Sequence, residues 1–319
     1  MLRVRDLILR NADALAASEC TNTGIPYPQL RQLHIPGAAH HFQFYAELAS
    51  QLKGELHQQR SGYQLQVSRE PVGVAALISP WNGPVNMSCA KIAAALAFGN
   101  SCVLKPSEYT PLAFVRLMEI FREAGIPDGV VNMVNGRGAV TGAALASHPG
   151  IDLVSFTGGS VSGPLVNAAA ARNLKRTTME LGGKSANIIL ESADLERALD
   201  GALAGIFTTN GQQCLAGSRI LLQRSIAAAF IERFVERTRA IRIGNPFDPG
   251  TELGPMAYRA HMERVLAYAE VARAEGATLL HGGRRASQMP RGWYVQPTVV
   301  HARSNDLRRY CRSLRSSGR

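Results

Sequence analysis

The amino-acid sequence predicts an α/β protein built around a doubly wound parallel sheet. The first indication is a continuous apolar run over residues 72–78, which is typical of a parallel strand covered on both faces. The second is a regular alternation of strand, loop and helix between residues 72 and 171. The third is a further α/β segment after Ser185. Strands that alternate with helices in this way pair in parallel, with helices on both faces of the sheet.

The predicted elements cover most of the chain. Apolar residues at helical spacing predict helices over 5–19 and 36–52, and the alternating stretch 63–69 predicts a half-exposed strand that fits one arm of a hairpin. Further strands are predicted at 72–78, 101–104, 130–134, 151–156, 186–190, 219–222, 278–280 and near 294–300. Further helices are predicted at 89–98, 111–124, 139–147, 161–171, 194–209, 225–240 and 258–275.

Composition narrows the functional classes. The 319 residues are 46% hydrophobic and 18% charged, which is typical of a globular protein with room for two domains. Five scattered cysteines without a C-x-x-C pair argue against a disulfide framework and a metal site, and favour a reducing, cytoplasmic compartment. No apolar run is long enough to span a membrane, and the N-terminus lacks the apolar core of a signal peptide.

The formal net charge of +11 raises the question of nucleic-acid binding. Five arginines and no acids lie within the last twelve residues, 308–319, and account for part of that charge. The remaining basic residues alternate with acids on helical stretches such as Glu232–Arg237, a pattern typical of a solvated face. No basic stripe interleaved with aromatic residues is present, so we expect no nucleic-acid partner.

The loops that follow the predicted strands hold the candidate binding residues. In doubly wound sheets ligands bind beyond the carboxyl ends of the strands. None of these loops has the G-x-G-x-x-G pattern. Their glycines can bring backbone N–H groups up to a pyrophosphate, but tight packing explains them equally well. A lysine can donate to ribose hydroxyls and a glutamate can accept from them, but a surface Lys–Glu pair is an equal interpretation. The residues concerned are Trp81, Asn82, Lys105, Glu108, Gly136, Gly138, Gly158 and Gly159.

A carboxylate and a cysteine mark a second candidate site. Glu180 adjoins a glycine pair, and Cys214 lies in a stretch of small residues further along the chain. A thiol attacks as its thiolate, so it needs a base or a positive environment. Taken alone the pair is weak evidence, because a cysteine is more often a small apolar core residue.

Considered together, the motifs resemble the aldehyde dehydrogenase superfamily, and the resemblance extends to about Leu307. The four motifs occur in one order: Pro80-Trp-Asn82, Lys105-Pro-Ser-Glu108, Phe156-Thr-Gly-Gly-Ser160, and Glu180-Leu-Gly-Gly-Lys184 with Gly211-Gln-Gln-Cys214. Closer features are similar to the hydroxymuconic-semialdehyde branch of aromatic catabolism. They are Asn22-Thr-Gly-Ile-Pro26, the stretch 35–44, and Gly159 where many relatives have serine.

The resemblance implies a mechanism and an NAD cofactor. Cys214 is implied as the nucleophile that forms a thiohemiacetal and then a thioester, and Glu180 as the base that activates the hydrolytic water. Asn82 and the backbone N–H of Cys214 are implied to hold the oxyanion. Lys105 and Glu108 are implied to contact the adenosine ribose, with Glu108 favouring NAD over NADP. The other implied cofactor residues are Ser79, Trp81, Gly136, Gly142, Gly159, Ser160 and Gly182.

The chain also departs from the family pattern. The family's N-terminal strands are missing, and after about Arg308 an Arg/Ser-rich tail, 308–319, stands where a Glu-x-Phe-Gly-Pro segment would follow. We therefore expect a truncated chain: an NAD-binding domain over 1–182 with a bridging hairpin at 53–71 inserted in it, a partial catalytic domain over 183–307, and an aberrant tail. We expect such a chain to have low or no dehydrogenase activity. The family assembles as a homo-oligomer, which is in doubt here without the C-terminal strand.

Two other functions fit the same residues. A non-catalytic NAD-binding or interaction protein would bind the cofactor without depending on Cys214 for turnover. A thiol esterase would use Cys214 and Glu180 without any cofactor, since hydrolysis of an acyl-enzyme needs no nicotinamide. The substrate predicted from the branch resemblance is a small semialdehyde of the hydroxymuconic type.

Overall fold

The computed structural model describes residues 1–58 and 62–302, and it divides into two compact units. The first unit contains Met1–Leu15, Arg31–Phe156 and Val166–Met179. The second contains Ala16–Leu30, Thr157–Leu165 and the chain from Glu180 onward. The domain boundary predicted at residues 182 and 183 stays a prediction, and the predicted tail 308–319 lies outside the described residues.

A five-stranded sheet forms the centre of the first unit, and its order β5-β4-β3-β6-β7 confirms the predicted doubly wound fold. From β3 the chain builds first toward one edge of the sheet and then toward the other, which is the topology of a doubly wound sheet. Strands β3 to β6 run parallel, and buried residues alternate with half-buried ones along β4. The strands are β3 (Val74–Ile78), β4 (Ser101–Lys105), β5 (Val131–Met133), β6 (Leu153–Gly158) and β7 (Arg176–Leu181).

Helices pack around this sheet and fill its core with aromatic side chains. Phe42, Phe114 and Phe121 are fully buried, and the rings of Phe42 and Phe121 lie 5.8 Å apart. Pro84 begins α5, a position where its missing N–H leaves no hydrogen bond unmade. The helices up to residue 171 are α1 (Leu2–Arg10), α2 (Ala12–Thr23), α3 (Tyr27–Gln29), α4 (Ile35–Ala49), α5 (Pro84–Ala97), α6 (Leu112–Glu123), α7 (Ala143–Ser147) and α8 (Ser162–Ala171). Of these, α3 and most of α2 belong to the second unit. Two π-helical turns, Leu30–His34 and Gly138–Gly142, adjoin α3 and α7.

An exposed hairpin extends from the first unit. Its strands β1 (Glu55–Gln58) and β2 (Gln64–Val67) pair antiparallel, with Glu55 opposite Val67. Every described residue of both strands is exposed. The predicted hairpin arm is thus present, while its bridging role stays a prediction.

The second unit has its own small core. Strands β8 (Ala186–Ile189) and β9 (Arg219–Leu222) pair in parallel, and β10 (Thr278–His281) pairs antiparallel with β11 (Val299–His301). The helices are α9 (Leu195–Phe207), α10 (Ala227–Arg239) and α11 (Arg259–Ala274). A cluster of Ile189, Leu199, Ala202, Phe230 and Phe234 holds β8, α9 and α10 together. In the described part of the chain no helix is long and apolar enough to cross a membrane.

The structure corrects two sequence predictions. Strand β7, which carries Glu180, was not predicted, because its residues alternate between half-buried and exposed and never form an apolar run. The predicted helix over 5–19 is two helices, α1 and α2, which are separated at Asn11. Asn11 ends α1 by donating its side-chain Nδ2 to the carbonyl of Leu7 at 2.8 Å.

Candidate active site

Glu180 and Cys214 lie on two segments of the second unit that are joined through the backbone. Glu180 is exposed as the penultimate residue of strand β7, and Gly182 and Gly183 follow that strand. The N–H of Gly183 donates to the carbonyl of Cys214 at 3.1 Å. The two motifs that sequence analysis paired are therefore brought together, more than thirty positions apart in the chain.

Cys214 is the one exposed thiol among the described residues. The other three described cysteines, Cys20, Cys89 and Cys102, are buried. Burial raises the pKa of Cys20 and of Cys102 to about 12, although a backbone hydrogen bond at Tyr27 acts in the opposite direction on Cys20. Those two thiols stay protonated at neutral pH and are shielded from reagents, so they cannot act as nucleophiles.

Lys184 brings a positive charge to the same site, and in the sequence it stands out only as the last residue of the motif Glu180-Leu-Gly-Gly-Lys184. Its ammonium donates to the carbonyl of Gly183 at 2.9 Å, and its own carbonyl accepts from Nε of Arg219 at 3.0 Å. Burial lowers the pKa of Lys184, and the nearby Cys214 partly offsets this. The ammonium is thus within electrostatic reach of the thiol, where it would stabilise a thiolate.

His261, at the start of α11, was also missed by sequence analysis. Burial, together with the positive charges of Arg264 and Lys184, lowers its pKa to about 4. The imidazole is therefore neutral at physiological pH. No sequence signal pointed to this residue, because it lies within an ordinary helical pattern 47 positions after Cys214.

The depressed pKa of His261 predicts a specific loss of stability in acid. Between pH 4 and 6.5 the unfolded imidazole holds a proton that the folded one does not, so acid favours unfolding. Stability from this group is complete above pH 6.5 and is lost as the pH falls toward 4. We expect His261→Gln to remove on the order of 3 kcal/mol of that pH dependence, as measured by urea unfolding at pH 7 and pH 4.5. The exposed His301→Gln serves as the control, and an unchanged pH dependence in His261→Gln would contradict the assignment.

The loop after β6, which carries the implied cofactor residues Gly159 and Ser160, also contacts the glycine pair. Ser160 donates its hydroxyl to the carbonyl of Gly182 at 3.3 Å. The carbonyl of Gly159 accepts from the N–H groups of Ser162 and Gly163, each at 3.0 Å, where helix α8 begins. Three predicted cofactor residues, Gly159, Ser160 and Gly182, are thus close together.

In the first unit Lys105 and Glu108 form an ion pair whose lysine is buried. The Lys105 side chain is only 3% exposed, so the surface-pair interpretation is wrong for this residue. Its ammonium donates to Glu108 Oε2 at 3.1 Å and to the carbonyl of Pro106 at 3.0 Å. The other carboxylate oxygen of Glu108 accepts from the N–H of Gly138 at 3.2 Å. The loops after β4 and β5 are therefore joined at this carboxylate.

The pKa of Glu108 lies below its ordinary value. Burial acts against ionisation, but the backbone N–H groups of Glu108 and Gly138 and the ammonium of Lys105 together outweigh it. The carboxylate is therefore ionised at neutral pH and presents an acceptor at the carboxyl end of β4. An ionised carboxylate there accepts ribose hydroxyls and repels a 2′-phosphate.

The remaining predicted residues of the first unit lie on the same loops. Ser79 follows β3, and its N–H donates to the carbonyl of Lys105 at 3.1 Å. Its buried hydroxyl has no hydrogen-bond partner within residues 1–58 and 62–302, so it is available to a ligand hydroxyl. Trp81 and Asn82 are half-buried on the loop before α5. Gly136 has a φ of 151°, and an added Cβ would lie 2.0 Å from Thr141 Oγ1, so only glycine fits there.

Gly142 is buried in the π-helical turn before α7. The ribose-binding chemistry implied by the sequence fits the residues present: a buried ammonium, an ionised carboxylate and an unsatisfied hydroxyl lie on adjacent strand ends. Among the described residues no group of three or more His, Cys, Asp or Glu side chains could hold a metal ion.

Comparison with known proteins finds a matching family. The model of the aldehyde dehydrogenase family matches residues 1–313. The chain is 44% identical to 5-carboxymethyl-2-hydroxymuconate semialdehyde dehydrogenase of Escherichia coli over 313 residues, which is 97% of this chain and 66% of that enzyme.

Solved structures agree with this similarity. An aldehyde dehydrogenase from Bacillus cereus in complex with NAD⁺ superposes with a TM-score of 0.93 at 40% identity, over 96% of this chain and 62% of that chain. PnpE, known from Pseudomonas sp. WBC-3 and solved in complex with nicotinamide adenine dinucleotide, superposes with a TM-score of 0.94 at 41% identity, over 97% of this chain and 64% of that chain. The chain therefore spans slightly less than two thirds of the length of these relatives.

Proposed function

Because the chain belongs to the aldehyde dehydrogenase family, we propose that it carries the chemistry of an NAD-dependent aldehyde oxidation to the carboxylate. The observation that carries the proposal is the hydrogen bond of 3.1 Å between the N–H of Gly183 and the carbonyl of Cys214. It places the backbone of Cys214 beside the glycine pair Gly182-Gly183, which is separated from Glu180 only by Leu181. A nucleophile, a carboxylate base and the ammonium of Lys184 thus belong to one local structure.

The chemistry proceeds through Cys214. Its thiolate forms a bond to the aldehyde carbon, and the carbonyl oxygen becomes an oxyanion that the backbone N–H of Cys214 stabilises. The motif resemblance adds the side-chain amide of Asn82 as a second donor, and this assignment rests on the motif alone. What bound NAD supplies is acceptance of the hydride from the thiohemiacetal carbon, which leaves a thioester on Cys214.

Glu180 completes the reaction. It has no ion-pair partner among the described residues and it is exposed, so its carboxylate is free to take a proton from a water molecule. That water attacks the thioester carbon, the C–S bond breaks, and the carboxylic acid product leaves Cys214 as a thiolate. The ammonium of Lys184 stabilises this leaving thiolate.

The cofactor is held by the strand-end loops. Lys105 and Glu108 bind the adenosine ribose, and the unsatisfied hydroxyl of Ser79 supports them. The ionised state of Glu108 favours NAD over NADP. The residues proposed to surround the rest of the cofactor are Trp81, Gly136, Gly142, Gly159, Ser160 and Gly182.

Glu108 offers a direct test of cofactor preference. In Glu108→Gln the negative charge is lost, so we expect NAD affinity to fall by about tenfold and the preference for NAD over NADP to shrink, given the usual strength of a charge-assisted hydrogen bond. Calorimetric titration of the chain with each dinucleotide measures both effects. Glu123→Gln, an exposed glutamate on α6, is the control. An unchanged ratio of the two affinities would contradict the role of Glu108.

The proposed substrate is a small semialdehyde of the hydroxymuconic type. Support comes from the name of the Escherichia coli relative, which is 44% identical. It also comes from the branch features, among them Gly159 and the segment Asn22-Thr-Gly-Ile-Pro26. We propose in addition that the exposed hairpin of β1 and β2 bridges subunits, with Leu56 and Leu65 among its exposed apolar side chains.

The proposal is tested by mixing the full chain with NAD and a hydroxymuconic-type semialdehyde and following NADH absorbance. Aldehyde-dependent NADH formation supports the proposal, even at the low rate expected of this chain. NAD binding without turnover would leave a non-catalytic NAD-binding protein, and hydrolysis of p-nitrophenyl esters without NAD as the sole activity would indicate a thiol esterase.

A further inference from the structure

The segment before Cys214 adopts an unusual backbone conformation. Thr209 and Asn210 both lie in the left-handed region, with φ of 58° and 56°. A β-branched residue such as threonine rarely adopts this conformation, so surrounding contacts must hold it there. Both residues are 3% exposed, whereas Cys214 four positions later is exposed. The strained segment is therefore a buried structural support for the exposed nucleophile.

Asn210 is held by three hydrogen bonds to two distant loops. Its Nδ2 donates to the carbonyl of Gly24 at 2.8 Å and to that of Pro255 at 2.9 Å. Its Oδ1 accepts from the N–H of Gly254 at 2.9 Å. The two loops pack closely against each other, because an added Cβ on Gly254 would lie 1.9 Å from the carbonyl oxygen of Gly24. The side-chain amide is thus the central connection between three backbone segments.

Thr209 is fixed in a similar way from the N-terminal side. The N–H of Thr209 donates to Gln29 Oε1 at 3.3 Å, and Gln29 Nε2 donates back to Thr209 Oγ1 at 3.2 Å. The same hydroxyl accepts from Nε2 of Gln213 at 3.1 Å, and Gln213 directly precedes Cys214. These hydrogen bonds and those of Asn210 together form what we call the clamp. Within the second unit, hydrogen bonds connect the clamp to the residue that precedes the nucleophile.

We propose that Asn210 is a positioning residue for Cys214, acting through the left-handed segment that it clamps. The inference rests on the proposed nucleophilic role of Cys214. A left-handed turn at residues 209 and 210 sets the direction in which the chain enters residue 214, and hence where its N–H and its thiol lie. Asparagine suits this position because it tolerates the left-handed conformation and its amide provides two donors and an acceptor.

Asn210→Asp tests the proposal with almost no change in size. A carboxylate accepts but does not donate, so it would face the carbonyls of Gly24 and Pro255 without a proton to offer either. The matched control is Asn100→Asp in the first unit. Asn100 also donates its amide to two backbone carbonyls and accepts from two backbone N–H groups, so its replacement removes the same kinds of bond.

Two reactions of Cys214 in the full chain separate positioning from mere stability. Acylation by p-nitrophenyl acetate needs an aligned thiolate and an oxyanion donor, whereas alkylation by iodoacetamide needs only an exposed thiolate. Both are followed by mass spectrometry of the peptide that contains Cys214, and labelling of buried Cys20, Cys89 and Cys102 reports unfolding.

For Asn210→Asp we expect acylation to slow by about tenfold or more, as small misalignments of reacting groups do, while alkylation changes by less than about threefold. Asn100→Asp should change neither rate by more than about twofold, since it lies outside this clamp. Acylation of Asn210→Asp at the unsubstituted rate, or an equal loss in both variants, would overturn the proposal. Absence of acylation in the unsubstituted chain would overturn the nucleophile and this inference with it, whereas acylation without NADH formation would overturn only the proposed dehydrogenase.

Discussion

Replacing Cys214 by serine is expected to lower aldehyde-dependent NADH formation by at least about 1,000-fold, because removal of a covalent nucleophile commonly costs that much or more. A serine hydroxyl is hardly ionised at neutral pH and is a far weaker nucleophile than a thiolate. The substitution replaces the sulfur of an exposed side chain by an oxygen, so packing is preserved. Acylation by p-nitrophenyl acetate should be lost in parallel, since both reactions begin with the same bond.

Two controls accompany Cys214→Ser. NAD binding by the variant should match that of the unsubstituted chain, because the proposed ribose contacts lie at Lys105 and Glu108. Cys89→Ala, at a buried cysteine of α5, should keep its turnover within a few-fold although it loses some stability from the cavity. Retention of a tenth or more of the turnover by Cys214→Ser would show that another group performs the attack.

Strands covered on both faces were the most predictable part of the fold. Residues 74–78 form β3 in the centre of the sheet, where four of the five are buried, so the sequence shows an unbroken apolar run. Strand β7 lies at the edge and buries none of its six residues fully, so its segment Arg176–Leu181 carries no such run. A sequence pattern reports burial more directly than it reports backbone conformation, and an edge strand therefore escapes it.

Candidate site residues were predictable where their side chains form recognisable motifs, and contacts made by backbone groups were not. Lys105 and Glu108 are three positions apart, and both are functional candidates from sequence alone, but only the structure shows that the lysine is buried. The clamp on Asn210 depends on Gly24 and Pro255, which are 186 and 45 positions away. Its partners there are backbone carbonyls, which every residue type has, so the residue types at these positions do not reveal the contacts.

Replacing Glu180 by glutamine is the second large effect that we expect, and its form differs from that of Cys214→Ser. Glutamine has nearly the same shape but cannot take a proton from water, so formation of the thioester should persist while its hydrolysis fails. The first turnover should release about one NADH per chain, and the steady-state rate should then fall by about 100-fold to 10,000-fold, which is the usual contribution of a general base. Rapid-mixing absorbance resolves the two phases, and intact mass measurement detects the acylated chain.

The outcome of Glu180→Gln also decides which proton the carboxylate removes. If Glu180 serves the hydrolytic water, the burst survives in the variant at its full amplitude. If it instead deprotonates the thiol, the burst slows with the steady-state rate, and the ammonium of Lys184 alone is insufficient to sustain a thiolate at Cys214. Glu191→Gln, at an exposed glutamate after β8 in the same unit, should show neither change. A full burst followed by slow turnover in Glu180→Gln, absent from Glu191→Gln, therefore requires a base that acts after the C–S bond has formed.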